Sequence, residues 1–137
     1  MAMNKPKTSD KAGVMMKVLV VVPHHQTAEE IYNLALSHGH QAVFTNTLRD
    51  AKKIARSQCF DLTFVHLALP DGNGLELIRQ MKNTCPWMPV VALTDVNSRV
   101  MELAARQLGV IYYMVGPADP AEIGAILDFL SGKTVNH

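Results

Sequence analysis

Five times along this chain a short aliphatic run gives way to a stretch of helical period, and that alternation limits the fold more than any other feature. Val18 to Val22 is an unbroken run of β-branched and aliphatic residues, the pattern of a strand buried on both faces of a parallel sheet. Pro23 ends it. Thr27 to Leu36 follows as a helix, with Ile31, Leu34 and Ala35 inward and Glu29 and Glu30 read into its first turn. Gly39 stops that helix. Gln41 to Phe44 reads as a second strand. Thr47 reads as the N-cap of a helix through Arg56, with Leu48, Ala51, Ile54 and Ala55 inward. Asp61 to Leu67 is the third strand, and Pro70-Asp71-Gly72-Asn73-Gly74 is a turn cluster. A third helix carries Leu75, Leu77, Ile78 and Met81. Val90 to Leu93 is the fourth strand, and Asn97 or Ser98 caps a helix with Val100, Leu103, Ala104 and Leu108 inward. Gly109 closes that helix and Ile111 to Val115 is the fifth strand. Asp119 starts a last helix with Ile123, Ile126, Leu127 and Leu130 inward.

Repeated βα units force right-handed crossovers and an open parallel sheet with helices on both faces. Ligands of such sheets gather outside the carboxyl ends of the strands, so function is expected just after Val22, Leu67, Leu93 and Val115.

The 137 residues suit one domain, and 48% hydrophobic against 18% charged residues is enough for a real core. A formal net charge of +1 leaves no basic excess to neutralise phosphates, which argues against direct nucleic-acid binding. No apolar stretch approaches the roughly 20 residues of a bilayer span. Met1 to Lys11 is polar, and Val14-Met15-Met16 is too short for a signal-peptide core. A cytoplasmic location without membrane contact is therefore expected. Cys59 and Cys85 belong to no CxxC pair and read as reduced thiols. Residues 1–16 read as a mobile tail, 17–131 as the domain, and 132–137 as a tail or the start of a linker.

The segment from Asp61 to Arg79, with its Leu69-Pro70-Asp71-Gly72-Asn73-Gly74-Leu75-Glu76 stretch, resembles the third strand, loop and third helix of response-regulator receiver domains. Pro89 to Thr94 resembles their fourth strand, and Gly109 to Pro117 their fifth strand and following loop. The resemblance covers about residues 17 to 131. It implies a flavodoxin-like (βα)5 doubly wound five-stranded parallel sheet of strand order 2-1-3-4-5, in a two-component signalling context.

It also implies a chemistry. Receivers carry an Asp at the end of the third strand that takes a phosphoryl group from a partner kinase. Two acids after the first strand hold Mg²⁺, a Lys follows the fifth strand, and a Ser or Thr and an aromatic respond to the change. A carboxylate is a weak nucleophile, so the metal and the cation must neutralise charge on the transferring oxygens. Here the phosphoacceptor position is His66, the acid-pair positions fall on Val22, Pro23 and His24, and the lysine position is Gly116. Thr94 and Tyr113 match the switch positions, and Pro117 matches a proline whose preceding bond is usually cis in the family. A scaffold kept without its chemistry reads as a pseudo-receiver: not an enzyme, with no cofactor, acting through protein contacts. An atypical receiver phosphorylated by another route is the alternative, and a His-based metal or pH sensor a further one.

His66 reads first as a neutral, hydrogen-bonded filler of the old pocket. As a metal ligand it would join His24 and His25, since imidazole suits Zn²⁺, Ni²⁺ or Cu²⁺. His38 and His40 read as a surface loop at the opposite end of the sheet. Asp71 reads as a turn residue, Glu76 as a helix residue beside the pocket, and Asp95 as a helix cap. Trp87, the only tryptophan, reads equally as a partner anchor or a packed loop residue. In the receiver family the fourth helix, fifth strand and fifth helix commonly form a docking or dimer face. Here Arg99, Glu102, Arg106, Tyr112, Asp119, Glu122 and Asp128 would line it, with charges of both signs suited to reciprocal pairing in a homodimer.

Overall fold

The computed structural model describes residues 13–133. Its sheet is built from β1 (Lys17–Val21), β2 (Gln41–Thr45), β3 (Leu62–His66), β4 (Val90–Thr94) and β5 (Tyr112–Val115), all parallel in the order β2-β1-β3-β4-β5. The helices are α1 (His25–Ser37), α2 (Leu48–Ser57), α3 (Gly74–Thr84), α4 (Arg99–Gln107) and α5 (Pro120–Leu130). This is the doubly wound arrangement the sequence led us to expect.

Successive strand residues point to opposite faces, so one run of aliphatics feeds two cores. Val18, Val20, Phe64 and Val91 face Ile31 of α1 and Ile123 and Leu127 of α5. Leu19, Val21, Val65 and Ala92 face Leu48 of α2, Leu77, Ile78 and Met81 of α3, and Ala105 of α4. Each fully buried Leu, Ile or Phe contributes about 1.5–3 kcal/mol relative to exposure, so these layers supply the main driving force.

Several local expectations change. α1 begins at His25, so Glu29 and Glu30 sit beyond its first turn, which carries no acid. α4 is capped by Ser98, whose Oγ accepts the Met101 N–H at 3.2 Å. It turns Met101, Ala104, Ala105 and Leu108 inward, leaving Val100 and Leu103 exposed. Two overlapping stripes shared Ala104 and Leu108, and the small Ala105 is the one buried against the sheet. Cys59 and Cys85 are joined as a disulfide, Cα–Cα 6.2 Å, correcting the expectation of two reduced thiols. The chain entering β3 and the chain leaving α3 meet at the amino-terminal end of the sheet, which sequence spacing does not reveal.

The His38/His40 expectation is corrected too. β1 and β2 pair from Lys17 opposite Gln41, so the residue before β2 meets the residue before β1. His40 is buried there and its Nδ1 accepts the Met16 N–H at 3.0 Å. Burial, then Lys133 and His38, hold the His40 pKa below its ordinary value. His38 Nδ1 lies 2.8 Å from Asp128 Oδ1. Burial works to raise the Asp128 carboxyl, but the His38 hydrogen bond and the charges of His38 and Lys133 leave it lowered. Of the segment read as a tail, residues 1–12 lie outside the described residues, as do residues 134–137. Met16 is buried, and the Val14 N–H donates to Ser131 O at 2.9 Å.

The loop after β3 folds into a small hairpin, Ala68–Leu69 against Gly72–Asn73, before Asn73 caps α3 at the Leu75 N–H. Asp71 reaches back from this loop to α2 and accepts the N–H groups of Leu48 (2.7 Å) and Arg49 (2.9 Å). Those backbone donors hold its carboxyl below the usual carboxylate range. A depressed folded pKa gives stability that is present above the unfolded value and lost as pH falls through the folded one. Asp71→Ala should therefore lower the urea midpoint at neutral pH, and its deficit against the parent should shrink in strong acid. A deficit unchanged down to acid unfolding would show that the carboxylate charge contributes nothing.

Candidate functional site

Strand order brings the carboxyl ends of β1, β3 and β4 side by side. His66 closes β3, opposite Leu93 of β4, and is 4% exposed. Its Nδ1 accepts the Ala68 N–H at 3.1 Å, which puts the proton of a neutral ring on Nε2. That Nε2 lies 3.3 Å from Asp95 Oδ2 without hydrogen-bond geometry, so it is a buried nitrogen with no hydrogen-bond partner among the described residues. His24, just past β1, places its Nε2 3.4 Å from the same oxygen and its ring edge-on to His66, centroids 5.4 Å apart. His25 turns away, with its ring 6.3 Å from Phe44. The cluster is thus His24, His66 and Asp95 rather than three histidines. Asp95 is not the cap of α4, because Ser98 holds that position and leaves the carboxylate at the pocket.

The remaining positions offer no ligand atoms. Val22 is buried and Pro23 carries no donor or acceptor in its ring. Gly116 adopts φ +93°, and a Cβ there would meet nothing within 4 Å. It makes the turn after β5, and its N–H donates to Thr94 O at 2.9 Å. The described residues contain no cis peptide bond, so Gly116–Pro117 is trans, unlike what the resemblance implied. Thr94 Oγ1 accepts the Val96 N–H at 3.2 Å. Tyr113 points inward, with its hydroxyl buried and without a hydrogen-bond partner among the described residues, and burial raises its pKa. Neither orientation was readable from the sequence.

The family model described as "Response regulator receiver domain" matches residues 18–128. The chain belongs to this family. Among curated relatives it is 28% identical to the alginate biosynthesis transcriptional regulatory protein AlgB of Pseudomonas aeruginosa, over 85% of this chain and 25% of that one. It is 25% identical to the transcriptional regulatory protein CusR of Escherichia coli, over 79% of this chain and 48% of that one. This receiver therefore spans only a quarter to a half of those regulators. In fold it resembles the "BeF3 Activated DrrB Receiver Domain" (TM-score 0.77, 22% identity, 85% of this chain and 97% of that chain). The non-phosphorylated HemR receiver domain from Leptospira biflexa is equally similar (TM-score 0.77, 23% identity, 88% and 98%).

This receiver does not fit the Mg²⁺ ion that its family implies. A hard cation takes oxygen ligands, and the pocket presents two imidazoles, an aliphatic side chain, a proline ring and one carboxylate. At the α4-β5-α5 face, six of the seven residues read as interface make contacts within the domain. Arg106 Nε donates to Glu102 at 3.0 Å, the Tyr112 hydroxyl donates to Glu122, Asp119 caps α5, and Asp128 holds His38. The Glu122 hydrogen bond is also the main reason the Tyr112 pKa is raised. What the face offers instead is apolar. Val100 and Leu103 are exposed on α4, and Ile111, Ile126, Phe129 and Leu130 line a groove between β5 and α5. The signal lies in the phase of α4, where turning Met101 and Ala105 inward puts Val100 and Leu103 on the surface. Trp87 is exposed.

Proposed function

We propose that this receiver works without phosphorylation, as a signalling module that acts through protein contacts and catalyses no reaction of its own. One observation carries this reading. The end of β3 presents a buried imidazole where phosphoryl transfer needs a carboxylate, with Val22, Pro23 and Gly116 at the metal and cation positions. A lysine at position 116 would be strained by a φ of +93°. The exposed apolar groove and α4 residues support docking through the α4-β5-α5 face, a second copy included, by burial of apolar surface rather than reciprocal ion pairs. A cytoplasmic setting is part of the proposal, and there the Cys59–Cys85 bond would be open to reduction.

The test is incubation with Mg²⁺ and a small-molecule phosphodonor, followed by intact mass and solution molar mass on one sample. The expected result is no phosphoryl adduct and an unchanged assembly state. A stable adduct on His66, Asp95 or another residue would overturn the reading and establish an unconventional phosphorylation.

A further inference from the structure

We infer that His24, His66 and Asp95 bind a single divalent transition-metal ion of the Zn²⁺ type. This goes beyond the proposed function and does not depend on it. A domain can hold a metal whether or not it signals through contacts alone.

The donor set comes first. Two imidazole nitrogens and one carboxylate oxygen are ligands of zinc sites that keep a fourth position for water. The three atoms all lie within 4.8 Å of one another. Asp95 Oδ2 stands 3.3 Å from His66 Nε2 and 3.4 Å from His24 Nε2. Zn–N and Zn–O bonds of roughly 2.0–2.2 Å in a tetrahedron set ligand–ligand edges of about 3.3–3.6 Å. The two oxygen–nitrogen edges already have that length.

An independent observation points the same way. His66 Nε2 is buried, faces the cluster and has no hydrogen-bond partner among the described residues, a condition that costs free energy until a ligand relieves it. Access is open, because the side chains of His24 and Asp95 are 58% and 61% exposed. Coordination at Nε2 moves the proton of the neutral His66 ring to Nδ1. No proton is lost from that ring, but the Ala68 N–H must give up its acceptor. The new Nδ1–H and the Ala68 N–H are then both donors, so binding requires the Ala68 peptide to turn away from the ring; Ala68 is exposed, so water can accept its N–H.

The experiment is calorimetric titration of the purified chain with ZnCl₂, checked by native mass spectrometry, with MgCl₂ as the comparison. The expected result is saturable one-to-one binding of Zn²⁺ in the micromolar range and no comparable binding of Mg²⁺. His24→Ala and Asp95→Asn alter exposed residues and should leave the fold intact. Each should weaken Zn²⁺ binding by more than about tenfold. His38→Ala, which removes the imidazole paired with Asp128, should leave it unchanged. In NMR spectra the Ala68 amide should shift on adding Zn²⁺. Absence of Zn²⁺ binding, equal binding by the His24 and Asp95 variants, loss of binding in the His38 variant, or Mg²⁺ binding of similar strength would each overturn the inference.

Discussion

Gly74→Ala should lower the thermal unfolding midpoint by about 10 °C. Helix propensity alone predicts the opposite sign, since alanine is favoured over glycine in a helix by about 1 kcal/mol. Space decides it. A Cβ on Gly74 would lie 2.5 Å from His66 O, 2.9 Å from Val65 Cγ1 and 3.0 Å from Leu67 Cα. Two of these are main-chain atoms of β3 and its exit, and neither can swing aside. The Gly74 N–H is also tied to Leu67 O at 2.9 Å, so the start of α3 cannot back away without losing that bond. Overpacking of this kind costs about 1–3 kcal/mol, and a backbone clash belongs at the upper end. At about 4 °C per kcal/mol for a domain of this size, the shift follows. Gly116→Ala is the contrasting variant. It has open space but a φ of +93°, so its cost is strain alone, about 1–2 kcal/mol. A Gly74→Ala protein that melts with the parent would refute the close approach of α3 to β3.

Reducing the disulfide should have an effect of similar size. Cys59 and Cys85 are 26 residues apart, and closing a loop of that length removes about 3.5 kcal/mol of unfolded-chain entropy at room temperature. The reduced protein should thus melt about 10 °C below the oxidised one. Cys59 is exposed, so Cys59→Ser removes the link with little loss of packing and should melt like the reduced parent. Cys85→Ser is expected to do worse, because Cys85 is buried in the core layer of α3 and a hydroxyl there needs a partner. Equal melting with and without reductant, or two free thiols in the unfolded, unreduced protein, would show that the bond does not form.

The sequence made the fold legible because its strands differ so sharply from their surroundings. Val18–Val22 and Val90–Leu93 admit few readings other than buried parallel strands. The helix phases were less secure. In α4 the competing stripes share Ala104 and Leu108 and differ in their other two residues, and only the packing of Ala105 chooses between them. The candidate site was half legible. His24 and His66 stand out at strand ends, whereas an acid after a strand usually caps the next helix, so nothing local marks Asp95 as a pocket residue. The strand order held the missing information. With β3 between β1 and β4, the residue after β4 falls beside the ends of both other strands. The cysteine pair and the burial of His40 lie at the other end of the sheet, where contacts depend on where each crossover returns. No local pattern encodes that return.

Asp71 ties two distant stretches of chain into one kinetic unit. The first turn of any helix has amide protons without intrahelical acceptors, and these normally exchange with solvent at nearly the rate of an open chain. Here the protons of Leu48 and Arg49 are sheltered by a carboxylate borne on the hairpin that also places Ala68 against His66. Their deuterium uptake therefore reports the parting of α2 from that hairpin, whichever of the two moves. A label read at one end of α2 thus reports on a contact with the loop that also lines the pocket.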